Sequence, residues 1–257
     1  MATPVGDSYA VASGGVIAAG RHRIVGDQRI TRWGQSNAWG QGLLSDLSAA
    51  PLSSDSGLAA FGAGTFDRVW IRQADGSYLK LSPSSQITWL SAAGCFGPEF
   101  GLAVRWMRET SSGNLFIDKN AGSGIDIYGF RIDGSGYISD GVGGRWTASN
   151  TWLSSHGYTV TNAGWIWVQG ESDYAQTQAY YQNALQVIIN QRTADGLQNA
   201  ATKRVLWQMT PGSNKYAQTV FDAKAAIAAA SPSNTTAPVM PNYFNADNLH
   251  ISARGQL

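Results

Sequence analysis

Between residues 164 and 230, apolar runs of strand length alternate with helical stretches, and no other feature narrows the possible folds as far. Gly164-Trp165-Ile166-Trp167-Val168 is a compact apolar run that predicts a strand. After Gln169-Gly170-Glu171-Ser172-Asp173, a helical period runs over about 174–192. A strand over 204–209 and an Ala-rich helix over about 215–230 repeat the unit. Strands that alternate with helices imply a parallel sheet covered by helices. The expected fold is therefore α/β, a three-layer α/β/α sandwich around a central parallel sheet.

The remaining segments fit this frame. Residues 1–28 are rich in Gly, Ala and Ser and read as an extension, with a short strand at 22–25. The main domain is expected over 29–257. It opens with a strand at 29–34 that runs into a small-residue turn. Residues 67–81 alternate around Asp75-Gly76 as a β-hairpin does. A helix over 98–109 starts behind Pro98, and 115–118 reads as a buried strand. Residues 121–150 hold many glycines and little periodicity, which predicts a long Gly-rich insertion over the surface. In open sheets of this kind the ligand lies beyond the carboxyl ends of the strands. The loops after Trp33, Leu90, Val168 and Met209 should then share one rim.

Composition removes several functions. With 18 Lys and Arg against 17 Asp and Glu, the net charge is +1, too small to gather nucleic acid or an anionic membrane. No apolar run approaches the ~18 residues of a membrane span, so no membrane partner is expected. The lone Cys95 excludes an internal disulfide and reads as a small buried hydrophobe. No His-x-x-x-His, paired Cys or calcium-loop pattern occurs, so neither a metal nor a cofactor is expected. Asn234-Thr235-Thr236 matches a glycosylation acceptor, a pattern common by chance. The 30 Gly, 10 Trp and 10 Tyr suit a loop-rich surface with aromatic platforms, though core aromatics give the same tally.

Three histidines are available for proton transfer, His22, His156 and His250. Only His250 has a suggestive context, because Asp247 stands three residues before it and can hydrogen-bond the imidazole. A serine hydroxyl is a poor nucleophile until a base takes its proton. Ser36, in Gly34-Gln35-Ser36-Asn37 directly after the first strand, is the serine placed to need one, although a helix cap would look the same.

These segments carry a resemblance. Arg32-Trp33-Gly34-Gln35-Ser36-Asn37 resembles the nucleophile block of SGNH hydrolases, in the branch that holds sialate O-acetylesterases and acetylxylan esterases. Phe96-Gly97-Pro98-Glu99-Phe100-Gly101, Trp167-Val168-Gln169-Gly170-Glu171-Ser172-Asp173, and Asp247-Asn248-Leu249-His250 with Ala253-Arg254-Gly255 resemble the other blocks, in the family's order. The resemblance implies a serine esterase that removes O-acetyl or other short acyl groups from a carbohydrate, through Ser36, His250 and Asp247 and an acyl-enzyme. It implies an oxyanion hole made by the backbone N–H groups of Ser36 and Gly97 and the side-chain amide of Gln169. Many members of the wider superfamily carry Asn where this chain has Gln169, and the Gln-Gly-Glu form points to sugar esters.

Around that core, Gln35, Asn37, Trp39 and Glu171 are expected to support the site or meet substrate. Trp39 either walls the acyl or sugar site or packs in the core, while Trp165 and Trp167 are expected in the core. Glu171 should brace the loops around Ser36 by accepting backbone hydrogen bonds, and Asp173 should cap the following helix. Neither acid needs to titrate near neutral pH for these roles, and a glycosidase-like acid pair is the lesser reading. The alternatives are a catalytically idle carbohydrate-binding or structural domain, and a lipase or thioesterase acting on longer acyl chains. The partner expected is an acylated carbohydrate. No signal peptide is seen, yet an extracellular, cell-surface or virion-associated setting is expected rather than a cytoplasmic one. The oligomeric state is left open.

Overall fold

The structure is a computed structural model that describes residues 25–40, 42–43, 45, 66–82, 95–131, 139–194, 196–199, 202–209 and 211–237. In chain order its elements are β1 (Gln28–Gly34), α1 (Ser36–Trp39), β2 (Gly42–Leu43), β3 (Val69–Arg72), β4 (Tyr78–Lys80), β5 (Cys95–Phe96), α2 (Glu99–Glu109) and β6 (Leu115–Ala121). These are followed by α3 (Ser139–Ser155), β7 (Thr161–Val168), α4 (Gln178–Ala194), β8 (Lys203–Trp207), α5 (Gln218–Ala229) and β9 (Asn234–Ala237).

Among the described residues, seven strands form one sheet in the order β4-β3-β6-β1-β7-β8-β9. Every pairing in it is parallel except β3 with β4, the hairpin expected around Asp75-Gly76. Its turn is built as the sequence suggests, with Gly76 at φ +89° and Asp75 accepting from the Ser77 N–H at 2.9 Å. A second, two-stranded antiparallel ladder joins β2 to β5.

Alternation along β1 and β6 sends residues to two different helix layers. Ile30, Leu115 and Ile117, with Val69 and Ile71 of β3, pack against Phe100 and Ala103 of α2. Trp33, Trp165, Trp167 and Leu206 face the other way, onto Tyr181, Leu185 and Ile188 of α4 and Val220, Ala223 and Ile227 of α5. On that same side Phe116, Tyr78 and Trp70 meet Leu153 and Trp152 of α3. The layers are α/β/α as expected, with the sheet mixed by its antiparallel edge strand. Cys95 is buried, as are Trp165 and Trp167.

Several sequence expectations are corrected. Residues 121–150 are not one surface excursion: β6 continues to Ala121, a 3-10 turn covers Ile127–Phe130, and α3 starts at Ser139. Helix formation here has a tertiary cause. Arg29 lies 3.5 Å from the Trp146 ring and donates to Asn150 at 2.8 Å, fastening a Gly-rich helix to the sheet that its own periodicity does not announce. Asn234 lies in β9, a strand the sequence reading did not contain. Its amide donates to the Ile227 carbonyl at 2.8 Å and its oxygen accepts from Arg204 at 3.0 Å, so the side chain serves the fold and is not presented as a glycan acceptor. Helix α4 starts at Gln178 rather than 174, because residues 171–173 form a separate 3-10 turn. The strand expected at 22–25 lies outside the described residues except for Val25.

Strand β1 lies between β6 and β7, and its last residue sets how close they come. A Cβ on Gly34 would sit 1.8 Å from the Val168 carbonyl oxygen and 2.7 Å from the Ala38 Cβ, so no side chain fits. Gly34→Ala is expected to lower the unfolding free energy by roughly 3 kcal/mol or more, because the obstruction is backbone. Gly124→Ala has no neighbour within 4 Å and carries only the strain of φ +69°, so it should cost about 1 kcal/mol. Urea unfolding of the two variants measures the difference.

Candidate active site

The rim at the carboxyl ends of β1, β6, β7 and β8 gathers most of the expected site. The chain leaves β1 at Gly34, donates from the Gln35 N–H to the Val168 carbonyl at 3.0 Å, and enters α1 at Ser36. Gly122 just past β6 donates back to the Gly34 carbonyl at 3.1 Å. Ser36, Gln35 and Asn37 are all buried. Residues from distant segments are therefore fastened on two sides to the turn that carries Ser36.

On one side stand charged groups. Arg32 of β1, Lys119 of β6 and Glu99 at the start of α2 have fully buried side chains. Glu99 Oε2 lies 2.5 Å from the Arg32 guanidinium and Oε1 lies 3.0 Å from Lys119 Nζ. Burial opposes ionisation of Glu99, but Arg32 and Lys119 outweigh it and hold the carboxyl below its usual range. Burial pushes the Lys119 ammonium down to about 7 despite the attraction of Glu99. This cluster reaches the turn directly, since Arg32 donates to the Ala38 carbonyl in α1 and Glu99 accepts from the Gly97 N–H at 3.0 Å. Gly40 and Gly97 make the approach possible. A Cβ on Gly40 would stand 2.6 Å from the Gly97 nitrogen, and Gly40 has φ +107°.

On the other side is a network around Gln169. Its Oε1 accepts from the Tyr181 hydroxyl at 2.7 Å, and the direction of the amide follows from its nitrogen facing acceptors only. Nε2 donates to Asp173 Oδ2, with Gln35 Oε1 and the Ile125 carbonyl each at 3.3 Å. Gln35 Oε1 also accepts from the Ser172 N–H at 3.2 Å. Asn37 donates to Glu171 Oε1 at 2.7 Å, so among the described residues Glu171 braces the loop through a side-chain amide.

Asp173 departs from its expected role. It does not cap α4. Its buried carboxylate accepts from the Ile127 N–H at 2.8 Å and from Gln169, joining the segment after β6 to the segment after β7. Burial raises its pKa to about 6 against those hydrogen bonds.

Asp247, His250 and His22 lie outside the described residues, as does the loop after Leu90. Trp39 closes α1, and its side chain lies outside the described set. His156 follows α3 just before β7, towards the opposite end of the strands from Ser36, with its ring stacked 4.0 Å from that of Trp152. Among the described residues, no group of His, Cys, Asp and Glu is arranged to hold a metal ion. No described helix is long and apolar enough to cross a membrane.

Sequence reasoning assigned no role to Arg32, Gly40, Glu99, Lys119, Tyr181 or Lys224. Lys224 was visible in principle, because it shares the buried stripe of α5 with Val220, Ala223 and Ile227, where a lysine needs a reason. Its Nζ donates to the Gln169 and Trp207 carbonyls at 2.5 and 2.7 Å.

The fold and rim define an α/β protein with a polar site beyond the strand ends. No protein-family model matches the chain, and no curated protein matches it in sequence. Solved structures do share the fold. A protein from Arabidopsis thaliana superposes with TM-score 0.62 at 18% identity, covering 90% of this chain and 93% of that one. A carbohydrate acetylesterase from Xanthomonas citri gives TM-score 0.55 at 16% identity over 89% of this chain. This chain spans about half, 53%, of that protein's length. NanS gives 0.54 at 13% identity, covering 91% of this chain and 94% of that one. The likeness is one of fold, and the fold is one that esterases use.

Two predictions follow from the buried charges. Glu99→Gln leaves Arg32 and Lys119 without their shared counter-charge, and breaking such a set should cost about 3–5 kcal/mol in urea unfolding. Asp173 binds its proton more tightly in the fold, at about 6, than at the ordinary 3.8. Its contribution to stability is thus complete below about pH 4 and is lost as pH rises through about 6. Wild type should therefore lose thermal stability relative to Asp173→Asn between pH 4 and 7, and a constant difference would show that Asp173 does not titrate there.

Proposed function

We propose that the protein is a serine esterase of the SGNH type that removes O-acetyl or other short acyl groups from a carbohydrate. The observation that carries the reading is the gathering of three distant motifs at one rim: Ser36 at the turn after β1, Gly97 against α1, and Gln169 after β7. The shared fold with a carbohydrate acetylesterase supports the substrate class. The balanced charge is consistent with a neutral sugar ester and offers nothing to attract nucleic acid.

In this mechanism the Ser36 Oγ attacks the ester carbonyl while His250 takes its proton and Asp247 orients His250. His250 then protonates the departing sugar alkoxide, and water, deprotonated by the same histidine, releases the acyl group from Ser36. The oxyanion is held by the Ser36 N–H, with donors from Gln169 and Gly97. The two hydrogens of the Gln169 amide are unequal. One is committed to Asp173, while the other is shared between acceptors that are both 3.3 Å away. A developing oxyanion is a stronger acceptor than either and captures that second N–H. The Gly97 N–H must instead be released by Glu99, which keeps Arg32 and Lys119 as partners when it lets go.

The test is acetate release from acetylated sugars and from 4-nitrophenyl acetate. Wild type should hydrolyse both and Ser36→Ala neither. Gln169→Ala should lower kcat by roughly 10²- to 10³-fold, as loss of an oxyanion donor does. A folded wild type inactive across acyl lengths would instead favour a carbohydrate-binding or structural domain. Preference for long acyl chains would indicate a lipase or thioesterase.

A further inference from the structure

We infer that Lys224 is a positioning residue for this hydrolysis, fixing the Gln169 loop by tying the ends of β7 and β8 to α5. The inference rests on the reading of Ser36 as nucleophile and Gln169 as oxyanion donor. A lysine on a helix's core-facing stripe loses its hydration and must recover it from protein acceptors. Lys224 recovers it from two carbonyls, Gln169 at 2.5 Å and Trp207 at 2.7 Å. Trp207 is the last residue of β8, and Gln169 is the first residue past β7. One ammonium group thus sets the spacing of two adjacent strand ends.

The surroundings are shaped to this group. Gly170 leaves the space that a side chain would fill, since a Cβ there would lie 3.3 Å from Nζ and 2.9 Å from Val220 Cγ1. Tyr181 presents its ring 5.9 Å from Nζ and accepts from Trp167 Nε1 at 3.0 Å. Its one hydroxyl proton is shared between the Gln169 carbonyl and Oε1. Oε1 is the nearer of the two acceptors, 2.7 Å against 3.0 Å for the carbonyl, and Nε2 faces Asp173 and Gln35 Oε1. Attraction to Glu171 and Asp173 offsets part of the burial cost of Lys224, and Glu171 in turn holds Asn37 beside Ser36. The backbone of Gln169, and with it the place of its amide, therefore depends on one fully buried side chain, whose charge also lies near Glu171 and Asp173.

The test is steady-state hydrolysis of 4-nitrophenyl acetate by wild type, Ser36→Ala, Lys224→Met and Lys224→Arg. Each kcat is referred to sites titrated with a fluorophosphonate. Lys224→Met should lower kcat per titrated site on the order of 10- to 100-fold, as misplaced catalytic groups do, with KM held within about 2-fold. Lys224→Arg, which keeps charge and donors, should recover part of the loss. A residue serving stability alone would lower the number of titratable sites and the melting temperature, leaving kcat per site unchanged. That outcome, with Ser36→Ala inactive, overturns this inference and leaves the esterase reading standing. A wild type without Ser36-dependent hydrolysis overturns both. If Lys224→Met does not fold, Lys224→Gln is measured in the same way against the same two outcomes.

Discussion

The Arg32–Glu99–Lys119 cluster is the interaction on which the site's architecture rests. Three ionisable side chains stand fully removed from water between the two central strands and α2. Desolvating ions is costly, and their mutual attraction recovers the cost only in tight geometry with the remaining donors and acceptors satisfied. The lowered Lys119 pKa records how far burial strains that balance. A cluster of this kind is a poor way to gain stability, because apolar side chains of equal volume often do as well. What it supplies is position: one carboxylate fixes β1, β6, the Gly97 N–H and, through Arg32, the carbonyl of Ala38.

The opposite flank of Ser36 is built on the same logic with mostly neutral groups. Tyr181, Gln169, Gln35 and Asp173 form a buried hydrogen-bonded chain with Lys224 beneath it. Networks like this are rigid when every member is satisfied, and the low local dielectric strengthens each bond. The apolar clusters on the two sheet faces lie around and behind these networks, where they exclude water and supply most of the folding free energy. The polar groups occupy the strand ends, where a parallel sheet leaves its loops free to meet a ligand.

The helices and strands that were legible are those whose own residues carry the signal. β1, β7 and the 75–76 turn were visible from β-branched and aromatic runs and from the turn chemistry, and α2 from its apolar spacing behind Pro98. α3 and β9 were not, because a Gly-rich helix and a polar Asn-Thr-Thr strand are held by partners far along the chain, Arg29 for one and Arg204 for the other. Asp173 shows the same limit at a single residue. Its place before a helix suggests a cap, while its actual partners are Ile127 and Gln169 and its titration near 6 follows from a burial that no local pattern reveals.

By itself the sequence determined the α/β alternation, the turn that carries Ser36 and the short motifs around Gly97 and Gln169, because these depend on local periodicity and on residues close along the chain. Only the tertiary structure decided that Glu99 would be neutralised by two cations, that Gly40 and Gly97 would touch, and that Lys224 would reach the carbonyls at two strand ends. The physical reason is that burial and electrostatic partnership belong to groups brought together across long stretches of chain. Their energies change with distance and exposure, and neither is written in the order of the residues.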